Sequence, residues 1–257
     1  MSAAGQVVFL GRRAFMRSIR QPGQLVFALV FPLFFLLVIA SGLDRAAALP
    51  GFPANSYIDF MFAIPFVHGA LFTALNSAIE LGRDIDTGFL NRLALTPARG
   101  VAIMLGNLAG GIALVLVQFS IYFAAGLLMG AGFEAGPLGL PVLFLLAALG
   151  AVAIGSAAMT VALRSGSAEA VQGIFPLFFV LLFLSSMNMP RDLIENDWFR
   201  LIADVNPVSY LIEGLRSLIV TGWDAQALGT GFGVALAAIA AALWISDRAF
   251  RSRMTRT

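Results

Sequence analysis

The sequence predicts an all-α membrane protein with six transmembrane helices and both termini in the cytoplasm. Three observations predict it. Of 257 residues, 60% are hydrophobic and 12% are charged, about half the charged share of a soluble domain. Six apolar segments reach the roughly 20 residues that cross about 30 Å of hydrocarbon. Placing those six segments leaves twelve arginines on the side of the termini and four opposite, the asymmetry of the positive-inside rule.

Composition also excludes functions. The chain has no cysteine and one histidine, so disulfides, thiolate chemistry and a histidine-rich metal cluster are out of reach. No Gly-rich Lys-Ser/Thr loop is present to cradle phosphates, so ATP is not bound by that route. The sequence pI near 9.7 reflects arginines on one membrane face rather than a nucleic-acid surface. No catalytic residue and no metal ligand is assigned, and no cofactor is expected in this chain.

Residues 1–23 read as a cytoplasmic segment carrying Arg12, Arg13, Arg17 and Arg20. The spans follow at 24–42, 57–78, 101–129, 138–163, 170–188 and 227–246. The first is too long, and begins too late, for a cleaved signal segment. Pro32, Pro65, Pro141 and Pro176 lie in or at the ends of spans, where neighbouring helices can satisfy the freed backbone groups. His68 falls mid-span, a costly place for an ionisable group. It either contacts a transported molecule or hydrogen-bonds a neighbouring helix. Asn76, Asn107, Gln118 and Gln172 are candidate interhelical partners, and three Gly-x3-Gly pairs (106/110, 126/130, 229/233) permit close helix approach.

Residues 79–100 form the cytoplasmic loop between spans two and three. Within it "DTGFLNRLALTP" (86–97) reads as a short helix. Asp86 or Thr87 caps it, Pro97 stops it, and Leu90, Leu93 and Ala94 share one face. Residues 189–226 lie outside and are too long for a structureless loop. Ile194, Trp198, Ile202 and Val205 stripe one helix. Asn206 caps and Pro207 opens a second, whose apolar face holds Val208, Leu211, Leu215, Leu218 and Ile219. Glu213 and Arg216, three apart, are placed to pair. The second helix lies on the outer surface, re-enters the membrane, or covers the end of a pathway. Residues 247–257 are a basic tail.

Two stretches resemble a known family. "GRDIDTGFLNRLALTPARG" (82–100) is similar to the cytoplasmic segment of ABC-2 type transporter permeases, especially their daunorubicin-resistance branch. The matching positions are Gly88, Phe89, Leu90, Arg92, Leu93, Pro97 and Arg99, and Asn91 stands where an acidic residue is frequent. "IADVNPVSYLIEGLRSLIVTG" (202–222) resembles the segment before the last span, through Asn206, Pro207, Tyr210, Glu213, Leu215, Arg216 and Gly222.

The resemblance covers essentially the whole chain as a single permease domain. It implies a non-enzymatic subunit of an ATP-driven exporter in the plasma (inner) membrane. Two permeases, identical or related, would pair with two ATP-binding subunits, which carry the ATP and Mg. The stretch at 86–97 would be the coupling helix, docking through Phe89, Leu90 and Leu93 with Asp84, Asp86 and Arg92 fixing orientation. Asn206, Pro207, Tyr210, Glu213 and Arg216 would belong to the outer helix or gate, and His68 to the pathway. The expected substrate is an apolar drug, antibiotic or other hydrophobic compound. Export of a lipid or polysaccharide, an ion-coupled carrier and a non-transporting scaffold are the alternatives.

Overall fold

The computed structural model describes residues 3–88 and 100–254. Among these the fold is helical, with no strand. The sequence dictates most helix ends. Helix α1 (Ala3–Ile19) precedes Pro22, which opens α2 (Pro22–Gly42) at a position where a missing N–H is harmless. Ser56 Oγ caps α3 (Tyr57–Met61) by accepting from Asp59 N at 3.2 Å. After a one-turn interruption Pro65 helps restart the chain as α4 (Ile64–Asp86). Helices α5 (Gly100–Leu128) and α6 (Gly136–Ser165) follow. Gly166 ends α6 in the left-handed region, at φ 70°. Two short helices succeed it, α7 (Ala168–Gly173) and α8 (Phe175–Phe183). Beyond them come α9 (Asp197–Val205), α10 (Pro207–Val220) and α11 (Ala225–Met254).

Five stretches are long and apolar enough to cross a membrane: 25–42, 57–86, 109–128, 136–165 and 225–245. They coincide with predicted spans one, two, three, four and six. The predicted fifth span is a shorter apolar stretch, Ala168–Phe183, broken at Ile174. Span two runs beyond 78 to Asp86 because its charged last turns have partners, described below.

The α3–α4 rod is the axis of the molecule. Its 30 residues extend about 45 Å, and α2, α5, α6 and α7 pack around it. Its N-terminal half sits in a core with Phe60, Phe62, Phe66, Phe119, Leu143 and Leu215. Its C-terminal half packs Leu71, Leu75, Ala78 and Leu81 on Ala158, Met159 and Val171. Thr73 donates to Gln118 Oε1 at 2.8 Å across the buried α4–α5 contact, a role expected of Gln118. Close approach is seen at Gly82, outside the predicted pairs, and at Gly126, a member of one. A Cβ on Gly82 would lie 2.8 Å from the Ala168 backbone, and Gly126 admits the Phe62 ring. Gly229 and Gly233 face open space.

Helix α1 was not anticipated within residues 1–23. It lies along α5, with Val8, Phe9, Met16 and Ile19 exposed, the pattern of a helix lying in a membrane interface. Helix α9 likewise exposes Trp198, Leu201 and Val205. Helix α10 differs. It buries Leu211, Ile212 and Leu215 together with Ser209, Arg216 and Ser217. Helix α10 is therefore packed against the bundle on its polar as well as its apolar side.

Candidate functional site

Three levels along the α3–α4 rod carry the candidate residues. At its inner end, α4 projects Glu80, Arg83 and Asp84. Arg17 of α1 reaches Glu80 at 2.6 Å and Asp84 at 3.2 Å, and Arg83 pairs with Glu80 at 2.8 Å. Asp84 is therefore buried and engaged by α1 rather than open to a partner. Asp86 Oδ2 accepts from Ala168 N at 3.4 Å, tying α4 to the start of α7. Gly88, at φ 65°, turns the chain out of the helix. Phe89, Leu90, Arg92, Leu93, Pro97 and Arg99 lie outside the described residues. Their attachment points are described: the end of α4, braced by α1 and α7, and the start of α5.

At mid-depth His68 is fully buried. Its Nδ1 lies 3.2 Å from the Ile64 carbonyl. A carbonyl only accepts, so Nδ1 carries the proton and the neutral ring leaves Nε2 as an acceptor. Nε2 has no partner. Phe31 and Phe35 of α2, Phe72 of α4 and Phe179 of α8 surround the ring at centroid distances of 5.2–6.3 Å. On the flank of α4 that carries Val67 and Leu71, a cavity of about 210 Å³ lies between α4, α6, α8, α10 and α11. Its walls include Val67, Leu71, Gly150, Phe178, Val208 and Leu211.

At the outer end, Asn206, Tyr210, Glu213 and Arg216 enter one connected arrangement. Asn206 Oδ1 accepts from Val208 N at 3.0 Å, as a cap should. Its Nδ2 donates to the Leu181 and Leu184 carbonyls at 2.6 and 3.1 Å, so one side chain joins the end of α8 to the start of α10. Pro207 fills the first turn of α10. Tyr210 donates to the Asp204 carbonyl at 2.6 Å. Glu213 pairs with Arg191 at 2.5 Å rather than with Arg216. Arg191 also lies over the Tyr210 ring at 4.5 Å. Partial burial pulls the Arg191 pKa down, but the Glu213 hydrogen bond and charge outweigh it, and the net shift is upward.

Arg216 turns inward instead. Its Nε donates to the Phe60 carbonyl at 2.9 Å, and its Nη2 to the Ser186 and Met187 carbonyls at 3.0 and 3.1 Å. The guanidinium also stacks 3.5 Å above the Phe60 ring. Tyr57 adds a bond to the Asn188 carbonyl at 2.5 Å. A fork of buried donors thus holds α3, α10 and the chain that follows α8 together. Arg191, Tyr57 and Phe60 are members that sequence reasoning missed. Their partners lie 13 to 156 residues away, and several are backbone carbonyls, which leave no trace in side-chain spacing. Among the described residues, no group of His, Asp and Glu could hold a metal.

Residues 5–220 match the ABC-2 type transporter family. Three similar proteins are named transport permease ycf38. The one from Porphyra purpurea is 31% identical over 227 residues, 85% of this chain and 76% of that protein. That from Cyanophora paradoxa is 28% identical over 215 residues, 83% and 73% of the two chains. That from Pyropia yezoensis is 30% identical over 212 residues, 77% and 68%. A helical bundle with five membrane-length helices, matched over most of its length, belongs to the ABC-2 type transporter family.

Proposed function

We propose that this chain is the transmembrane permease subunit of an ATP-driven exporter that moves an apolar compound outward by alternating access. The observation that carries the reading is the family match over residues 5–220. The family implies partnership with an ABC ATP-binding subunit. The interior chemistry agrees with an external energy source. Among the described residues, the carboxylates of the α3–α4 rod sit at its ends, as Asp59, Glu80, Asp84 and Asp86, and none lies between. An ion-coupled carrier needs ionisable groups at mid-depth. Here His68 is packed among phenylalanines, and Arg216 is tied to carbonyls nearer the outer end.

The working unit is two permeases with two ATP-binding subunits. The chain crosses six times with both termini inside. Support for the sixth crossing comes from the path of residues 168–188. Ala168 packs on Gly82 at the inner end of α4, Phe175 and Phe179 meet Phe72 midway, and Asn188 meets Tyr57 at the outer end. The stretch therefore runs the length of the rod, although its helices are short. The apolar cavity beside α10 suits a hydrophobic cargo.

The segment between α4 and α5 is the coupling element, and Leu90 and Leu93 are its docking face. Replacing both by Asp should abolish co-purification of the ATP-binding subunit while membrane insertion is unchanged. Undiminished association would overturn the docking assignment.

A further inference from the structure

We propose that His68 Nε2 is the hydrogen-bond acceptor of a binding site walled by Phe31, Phe35, Phe72 and Phe179. Its ligand is a lipophilic molecule carrying a hydroxyl or N–H donor. A buried acceptor without a partner is uncommon and unfavourable. Nδ1 is committed to the Ile64 carbonyl, so Nε2 is the free acceptor, and the surrounding rings offer it no N–H or O–H. The helix gains nothing in stability from this nitrogen. A ligand donor would satisfy it at the depth where a hydrogen bond is least challenged by water.

The rings also supply the rest of a site. Phe31, Phe35 and Phe179 are half-buried rather than locked in the core, and they come from α2 and α8, which meet at Phe35 and Phe183. Phe72 is shared with a second cavity of about 240 Å³, bounded by Gly23, Phe27, Ala28, Asn76 and Phe175. Asn76 lies two turns from His68 toward the inner end of α4, about 12 Å along its axis. Rotation of the Phe72 ring would join that cavity to Nε2. A flat apolar body would stack on the phenylalanines while its donor reached the imidazole. The export reading is needed only to call the ligand a transported substrate; binding at His68 stands apart from it.

The chain has one histidine, so ring-15N histidine labelling of the full protein, purified in lipid nanodiscs with a histidine-free tag, reports on this residue alone. The probes are 2-naphthol and 2-methoxynaphthalene, which differ in the donor and little in shape. The proposal expects the Nε2 resonance to move to lower frequency with 2-naphthol and to stay in place with the ether. No shift with either compound, or the same shift with both, would overturn it. Affinity for 2-naphthol should fall about tenfold in His68→Leu and be largely restored in His68→Gln, whose amide oxygen accepts. Equal affinity in all three proteins would also overturn it. A donor-specific shift in a protein that shows no ATP-driven transport would leave the site standing and defeat the export reading.

Discussion

Arg216 shows how a single side chain can fasten three segments. Its guanidinium is buried, yet it donates to three carbonyls on α3 and on the chain after α8. A methionine of similar length would remove a buried charge but leave those carbonyls without a donor. Each stranded group costs about 1–3 kcal/mol, so Arg216→Met should destabilise the protein by about 3 kcal/mol or more. A fall in the thermal unfolding midpoint in detergent, with partial recovery in Arg216→Lys, would bear this out. Asn206→Asp is the second residue-level case. It keeps the acceptor for Val208 N and loses the donor to Leu181 and Leu184. Placing a carboxylate against two carbonyls should cost about 2 kcal/mol, measurable by the same melt. Asn206 was recognisable as a cap from its place before Pro207. Its second role was not, because the far end of α8 has no signature that points to it. The same limit explains Glu213. Spacing offered Arg216, three residues away, but burial turned Arg216 inward and left Glu213 to Arg191.

At the scale of elements, hydropathy located the long helices, and proline, glycine and capping residues located many of their ends. It misjudged the elements whose chemistry is mixed. Helix α1 was hidden by its arginines, although Val8, Phe9 and Met16 follow an interfacial pattern. Span two was cut short because Glu80, Arg83 and Asp84 look like loop residues until Arg17 is seen to pair with them. Arg17 is more than a third exposed, so solvent screens its pairs with Glu80 and the buried Asp84, and a double-mutant cycle on Arg17 and Asp84 should give about 0.5 kcal/mol. Their use is positional: they brace the end of α4. Helix α10 carries a stronger prediction. Val208 lines the cavity beside α8 and α11, so Val208→Trp should fill it and abolish transport while the ATP-binding subunit still binds. Full transport by that variant would remove the cavity from the pathway.

For the whole molecule, the arrangement is a central rod read at three levels: ion pairs at the Asp86 end, an aromatic cage midway and a carbonyl-binding fork at the Tyr57 end. The absence of cysteine makes its topology directly testable. Glu169, at the start of the short apolar stretch Ala168–Phe183, and Glu195, beyond its end, are exposed. A cysteine at 169 should react with an impermeant maleimide only from the cytoplasmic side, and one at 195 only from outside. Labelling of both from one side would reduce the crossings to five. The measurement that bears most directly on the central claim is transport by the purified permease in proteoliposomes, with and without its ATP-binding subunit. The account predicts movement of an apolar fluorescent compound that requires the ATP-binding subunit and hydrolysable ATP, and that is lost in the Leu90→Asp, Leu93→Asp double variant. Equal transport by the permease alone, or transport driven by an ion gradient without ATP, would contradict it.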